Sequence, residues 1–385
     1  MKTLKIIAIY LSGFLIGVAL VTFPAAGSIL IDSAFHNLSS AQYGTIYIPQ
    51  ITFAILSSLM APKLSKKIGM KYILVLGMGS LVFSMFFFTL SNWFFNSMVA
   101  YYLVLWATAF IGFGFGFGIT ALNPFAYHLF PGKETSAVTT MHIMLGLGTA
   151  SSALLITFFA GYGLWWAAPM VVGVLSIFLL FLILSVPLKI EFQTVVSKKL
   201  KNKIPRRIWF FVFGVFLYGA CEATFGNFGT VFLEKERQLP PNIAALGLSL
   251  FWGAIAVGRL LFTFVALRFK TNYLFILAPF LVGAVFLFIP FAQGQAQLLF
   301  AMSLGGLGLS FLFPKSISYA TSEYPEHAAL ISGAMVAAIQ VGTGLSSNLI
   351  GSLNMVYGLD SLFRFSSIYA CIFGILLLVL IKFKK

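Results

Sequence analysis

One of the nine acidic residues in this sequence, Glu222, falls near the middle of a long apolar run over 207–233. Holding an ionisable group at such depth in a bilayer costs at least about 2.5–3.5 kcal/mol. A carboxyl kept there can carry a proton or bind a cationic group; the structural alternative is a hydrogen bond or ion pair between helices. Arg259 and Lys315 lie less deep, some seven to nine residues from the expected cytoplasmic ends of two further apolar runs. They could clamp an anionic group, snorkel toward water or pair with a carboxylate. Lys315 follows Pro314, where a helix would kink. His142 offers a proton relay or a neutral, hydrogen-bonded core histidine. Asn123, Asn227, Gln50, Gln340 and Trp252 are uncharged donors and acceptors suited to a hydroxylated molecule, or to helix–helix hydrogen bonds. Asp32 and Glu234 end two apolar runs at corresponding places. A carboxylate at a helix C-terminus is unfavourable with the dipole, so this pair reads as an outer gate or cation mouth, or as two solvated ends.

The chemistry that is missing is as informative. No Ser/His/Asp pairing stands on a loop, no His/Cys/Asp/Glu group has metal-ligand spacing, and no nucleotide-binding loop is visible. The sequence therefore predicts no enzyme, no catalytic residue, no metal and no cofactor. His36, His128 and His327 lie in loops or at ends and form no ligand spacing. Cys221 and Cys371 fall inside apolar runs and read as buried small hydrophobes. The run Gly112-x-Gly114-x-Gly116-x-Gly118 lacks the strand–helix setting of a phosphate loop and reads as close helix packing.

What must position these groups follows from composition. The chain has 385 residues, 60% hydrophobic and 9% charged, against roughly 45–50% apolar and about 25% charged in soluble domains. That excludes a soluble enzyme, a disordered chain and a disulfide scaffold, and places the chain in the bilayer. Apolar segments lie near 5–31, 42–62, 70–91, 98–127, 134–160 and 163–188. They resume near 207–233, 243–267, 272–291, 296–321, 327–354 and 359–381. Each is about the 20 residues that a spanning helix needs. The expectation is an all-α membrane protein with twelve transmembrane helices and cytoplasmic N- and C-termini. Of the 24 Lys and Arg residues, 19 then fall on the cytoplasmic side, as the positive-inside rule asks. Lys235, Arg237 and Arg364 fall outside. The formal net charge of +15 is thus a matter of topology and not of nucleic acid. The basic start, Met1-Lys2-Thr3-Leu4-Lys5, and Ala25-Ala26-Gly27 faintly suggest a cleaved leader, but the apolar run between them has the length of a full span.

The sequence divides into a first six-helix bundle over 1–188, a basic cytoplasmic linker over 189–206 and a second six-helix bundle over 207–385. Gly17, Thr22-Phe23-Pro24, Gly27 and Asp32 are matched by Gly219, Thr224-Phe225-Gly226, Gly229 and Glu234. Gly44 near the start of the second segment corresponds to Gly247 near the start of the eighth. Gly112, Gly114 and Phe130-Pro131 are matched by Gly306, Gly308 and Tyr324-Pro325. Two repeats in parallel order are a signature of transporters.

Twelve spans, a six-plus-six repeat and a basic central loop resemble the major facilitator superfamily. The resemblance implies two helical bundles around a central cavity, with access alternating by rocking. Its loop after the second helix usually reads Gly-x-x-x-Asp-Arg-x-Gly-Arg-Lys; here Pro62-Lys63-Leu64-Ser65-Lys66-Lys67-Ile68-Gly69-Met70-Lys71 keeps the basic residues and Gly69 but has Lys66 at the acidic position. The helix 4 Arg of drug–proton members is absent from 98–127, and no Pro follows Gly146 and Gly148, which disfavours drug efflux. Tyr218-Gly219-Ala220-Cys221-Glu222, Ser249-Leu250-Phe251-Trp252, Gly258-Arg259, Ala121-Leu122-Asn123 and Leu129-Phe130-Pro131-Gly132-Lys133 look like the fucose/glucose–galactose type of sugar–proton symporter. The helix 4 acid of that type has no counterpart; Asn123 is the nearest polar residue.

These readings converge on a secondary active transporter of the inner or plasma membrane. It would move a small polar solute, a sugar or similar metabolite, with protons as the coupling ion and the lipid bilayer as its setting. Uptake or export of a siderophore or metabolite is the alternative. A transporter-like membrane sensor or an uncoupled channel is the alternative from another class.

Overall fold

With no water to satisfy backbone amides in the hydrocarbon, a lipid-embedded chain must close its hydrogen bonds within helices. A computed structural model describes residues 2–188 and 204–382, and within them the regular structure is helical. Among the described residues, eleven helices are long and apolar enough to cross a membrane. They are α1 (Thr3–Ile31), α2 (Ser40–Ile68), α3 (Met70–Trp93), α4 (Met98–His128), α5 (Ser136–Ala160) and α6 (Ala167–Ser185). The set continues with α7 (Arg206–Glu236), α8 (Pro241–Ala266), α9 (Asn272–Phe291), α10 (Gln295–Glu323) and α11 (Leu330–Lys382). The last two expected spans are merged in α11, 53 residues long, with a non-helical Gly358 inside it (φ 69°, ψ 157°). Gly358 falls in the gap expected between 354 and 359. Most of the expected linker, 189–203, lies outside the described residues.

Local signals set several boundaries. Ser39 and Gln42 form a reciprocal capping box that starts α2. Gly69, at φ 86°, lets the chain turn from α2 into α3. Lys71 donates to the carbonyls of Leu184 and Val186 at the end of α6, at 2.7 and 2.9 Å, where a cation suits the dipole. The basic loop after α2 thus holds two neighbouring helices together.

The repeat seen in the sequence is a repeat of packing. A Cβ on Gly17 of α1 would lie 2.1 Å from the Leu145 carbonyl oxygen of α5, and one on Gly148 of α5 would lie 2.1 Å from the Phe14 oxygen of α1. In the C-terminal set, Gly219 meets the Ile339 oxygen at 2.3 Å and Gly342 meets the Phe216 oxygen at 2.0 Å, joining α7 to the first arm of α11 in the same reciprocal way. Small residues let membrane helices approach backbone to backbone. The four-glycine run of α4 works likewise: Gly112 and Gly116 lie on α2, while Gly114 lies against Gly77 of α3. Gly306 and Gly308 repeat this against α8 and α9. The match of Gly44 with Gly247 does not extend to packing. Gly44 presses on Ser347 and Gly351 of α11, whereas Gly247 meets Leu233, Leu299 and Met302 within the C-terminal set.

Both ends of the described chain lie on one face of the molecule, the near face. Among the described residues, six side-chain hydrogen bonds join α1–α6 to α7–α11, and they lie at the end of α1, the start of α2, the end of α7 and the first arm of α11, on the opposite, far face. Tyr43 donates to the Asn227 carbonyl (2.6 Å), Thr230 to the Pro24 carbonyl (2.7 Å) and Ser28 to Glu234 (2.8 Å). Lys235 pairs with Asp32 (2.8 Å), Asn354 donates to Ser40 (2.8 Å) and Asn348 to Thr45 (3.0 Å). The far face is closed.

Candidate functional site

Between the two sets the structure brings together four of the sequence candidates, Glu222 near the middle of α7 and Arg259, His142 and Asn123 toward the near-face ends of α8, α5 and α4. His142 Nε2 lies 3.1 Å from the Asn123 amide oxygen, linking α5 to α4. His142 is exposed, six residues from the start of α5. Its charged neighbour across the gap is Arg259 of α8. Arg259 in turn faces Glu222 of α7 electrostatically, and the Tyr218 hydroxyl, one helical turn before Glu222, lies near both. The row runs from the N-terminal set through His142 to Arg259, Glu222 and Tyr218 in the C-terminal set.

The position of Arg259 has a covalent cause. Pro314 has no N–H, so the Ser310 carbonyl four residues earlier loses its helical donor. α10 breaks there, its regular turns ending at Leu309 and resuming at Leu312. Arg259 Nε donates to that carbonyl at 2.9 Å. This anchors the guanidinium beside Glu222, so it does not snorkel. Lys315, next to Pro314, is half-buried on the restarted helix.

The Tyr218 hydroxyl is engaged with the Glu222 carboxyl and Arg259, whereas Trp252 Nε1 on α8 and Gln50 Oε1 on α2 are buried without a partner. Trp252 packs its ring against Gly226 of α7, where a Cβ would come within 3.0 Å. It stands two turns from Arg259 along α8, roughly 10 Å at 1.5 Å per residue. Gln340 is half-buried on α11. Asn227 lies apart from this group: its amide donates to Ser347 at 2.8 Å and its carbonyl accepts from Tyr43, so it belongs to the closed far face.

Asp32 and Glu234 stand on that face, from different sets, each held by a residue of the other. The hydrogen bond from Lys235, helped by the Ala34 backbone N–H, holds the Asp32 carboxyl below the usual carboxylate range. His36, in the loop after α1, is buried against Ser91 (2.8 Å), Phe95 and Trp165, and burial pushes it down to about 4. Sequence reasoning missed Tyr218, Ser310, Ser28 and Lys235. Tyr218 was signalled by its place four residues before Glu222, and Ser310 by its place four before Pro314. Ser28 and Lys235 carried no signal, because their partners come from the other set.

Two sets of membrane helices bonded across one face, with ionisable groups of both sets facing one another between them, are the arrangement of a membrane transporter. Residues 6–347 match the model of the Major Facilitator Superfamily, and the chain belongs to that family. Among curated proteins it is similar to the glucose/mannose transporter GlcP of Bacillus subtilis (strain 168). The two are 23% identical over 393 residues, covering 97% of this chain and 92% of that one. Among solved structures it is similar to the nucleoside transporter NupG, with a TM-score of 0.76 at 15% identity over 99% of this chain and all of that one. It is also similar to a bacterial homologue of the human lysosomal transporter Spinster in an inward-facing and occupied conformation. That match has a TM-score of 0.75 at 13% identity over 97% of this chain and 96% of that one.

Proposed function

We propose that this transporter takes up a small hydroxylated solute of the sugar class, driven by protons, by alternating access between two six-helix bundles. Counting α11 as two spans on either side of Gly358 gives twelve helices. Basic residues then gather on the near face, so that both termini are cytoplasmic and the far face is external. In this arrangement the molecule is closed to the outside.

The observation that carries the reading is the meeting of ionisable groups from both sets, Glu222 and Arg259 with His142, together with the buried, unpartnered indole N–H of Trp252 and amide oxygen of Gln50. Buried polar groups without partners are costly and uncommon. A ring bearing several hydroxyls offers both donors and acceptors to this set, and its apolar face can lie on Trp252. The similarity to a glucose/mannose transporter points to the same class. Glu222 carries the proton, Arg259 stands as its internal counter-charge, and His142 with Asn123 faces the pair from the other bundle. When the carboxyl is protonated Arg259 is released from it; when deprotonated the two attract. Solute and proton can thereby be counted together.

The test is uptake into proteoliposomes with an imposed pH gradient, for a panel of sugars, nucleosides, amino acids and siderophores. The expected result is accumulation of a sugar in wild type, abolished in Glu222→Gln. Flux that ignores the gradient would indicate a channel, and binding without flux a sensor. Gradient-driven flux unchanged in Glu222→Gln would remove the proton from that residue.

A further inference from the structure

On the far face a cavity of about 220 Å³ opens between α1, α5, the start of α6, the end of α7 and the start of α8. One water needs about 10–15 Å³ of such space, so the cavity can hold a ligand of several heavy atoms. Its rim residues Gly163 and Pro241 are exposed, while Ser28 and Trp165 in its wall are buried. The chemistry of the wall is mixed. Glu234 and Asp32 supply carboxylate oxygens, and Thr157 a hydroxyl. Glu234 Oε1 is engaged by Ser28, and its second oxygen is left for another donor. Trp165 is 2% exposed, and its indole N–H has no partner. Phe35 adds a second ring. Both Asp32 oxygens are taken, by the Ala34 N–H and by Lys235; a cation alone would leave the indole N–H unmet, and an apolar molecule would leave the second oxygen of Glu234 unmet. A hydroxyl group is donor and acceptor at once, so a hydroxylated ring answers both.

We propose that this cavity is a second, external solute site that exists only while the far face is closed. The inference rests on the sugar-class reading above. Glu234 and Pro241 come from the C-terminal bundle and the rest of the wall from the N-terminal one, so separating the bundles on that face takes the site apart. A solute seated there holds the transporter closed to the outside. At an external concentration ten times the site's Kd, outward opening is disfavoured about elevenfold by mass action. The transported molecule therefore inhibits its own uptake when it is abundant.

The experiment is initial-rate uptake of glucose and mannose by cells expressing the protein, over a wide range of external concentration. The expected curve rises, passes a maximum and falls. Thr157→Trp, which fills the cavity, removes the fall and leaves the KM of the rising limb within about twofold. Trp165→Phe, which keeps a ring but deletes the N–H, moves the inhibitory limb to severalfold higher concentration. Elution as a monodisperse peak in detergent shows that each variant folds; Ala160→Leu replaces Thr157→Trp if it does not. A wild-type curve that only saturates overturns the proposal, as does a fall that persists in the filled variant. If no sugar is taken up at all, equilibrium binding of glucose and mannose to purified protein separates the two ideas. Binding lost in Thr157→Trp supports the external site while the transport reading fails; no sugar binding overturns both.

Discussion

At the scale of single residues, the site depends on which charges have been given partners. Arg259 uses one nitrogen on the Ser310 carbonyl and turns the rest of its charge toward Glu222 and His142. Restoring an N–H at position 314 should therefore disturb the site from a distance. Pro314→Ala lets the helix satisfy Ser310 itself, and Arg259 loses its anchor. If Glu222 carries a driving proton as proposed, the apparent affinity for that proton shifts, with solute affinity changed by less than about threefold. The check is the pH dependence of uptake in wild type and variant. A second residue-scale effect lies outside the membrane. His36 is buried neutral with its titration pushed down to about 4, against about 6.5 in an unfolded chain. Between those values the unfolded state binds more protons, so stability rises with pH and falls as pH is lowered. Its contribution is complete above about pH 6.5 and is lost as pH drops through about 4, by roughly 3 kcal/mol over the window at 1.36 kcal/mol per unit. Thermal melts in detergent between pH 7 and 4.5 should decline more steeply for wild type than for His36→Gln.

At the scale of helices, glycine decides which pairs may touch. Gly44 of α2 lies so close to α11 that a Cβ would come within 2.4 Å of the Ser347 carbonyl oxygen. Backbone cannot yield as a side-chain tip can. Gly44→Leu should therefore prevent closure of the far face while leaving each bundle intact. The expectation is loss of uptake, with a cysteine placed at Asn227 becoming reactive to a membrane-impermeant thiol reagent from outside. Unchanged labelling would refute it. This is also the scale at which the sequence was most legible. Apolar runs, glycine pairs such as Gly17 and Gly219, and the gap at Gly358 all state themselves in order along the chain. Partners did not. Nothing near Glu222 announces Arg259, and Asp32 does not announce Lys235, because such pairs form only when helices distant in the chain pack side by side. The depth of a charge could be read from hydropathy; its partner needed the fold. Gly44 shows the opposite error: its likeness to Gly247 was real in position and empty in packing, since the two contacts fall in different interfaces.

At the scale of the whole molecule, alternating access requires that no one contact hold the closed face too strongly. The far face is held by six modest side-chain bonds that cross between the bundles, one of them the exposed ion pair Lys235–Asp32. Such a pair contributes about 0.2–1 kcal/mol, and a typical neutral hydrogen bond about 0.5–1.5 kcal/mol. Together these are a few kcal/mol, the range in which a ligand or a proton can shift a two-state equilibrium. Removing one should therefore tilt the balance without destroying the fold. Asp32→Asn is expected to raise the outward-open population up to about fivefold, the equivalent of 1 kcal/mol, read as faster external labelling at a far-face cysteine. The Asp32 carboxyl titrates below the usual range because Lys235 holds it. Its share of the clasp is thus present at neutral pH and lost only as pH falls through that lowered value. External pH between 5 and 8 should leave this contact unchanged. Exchanging the charges, Asp32→Lys with Lys235→Asp, should return labelling toward the wild-type rate, whereas Asp32→Lys alone sets two cations together and should open the face further than Asp32→Asn. If the exchanged pair labels as fast as the single reversal, the two residues do not act as a clasp, and closure rests on the backbone contacts of α2 with α11.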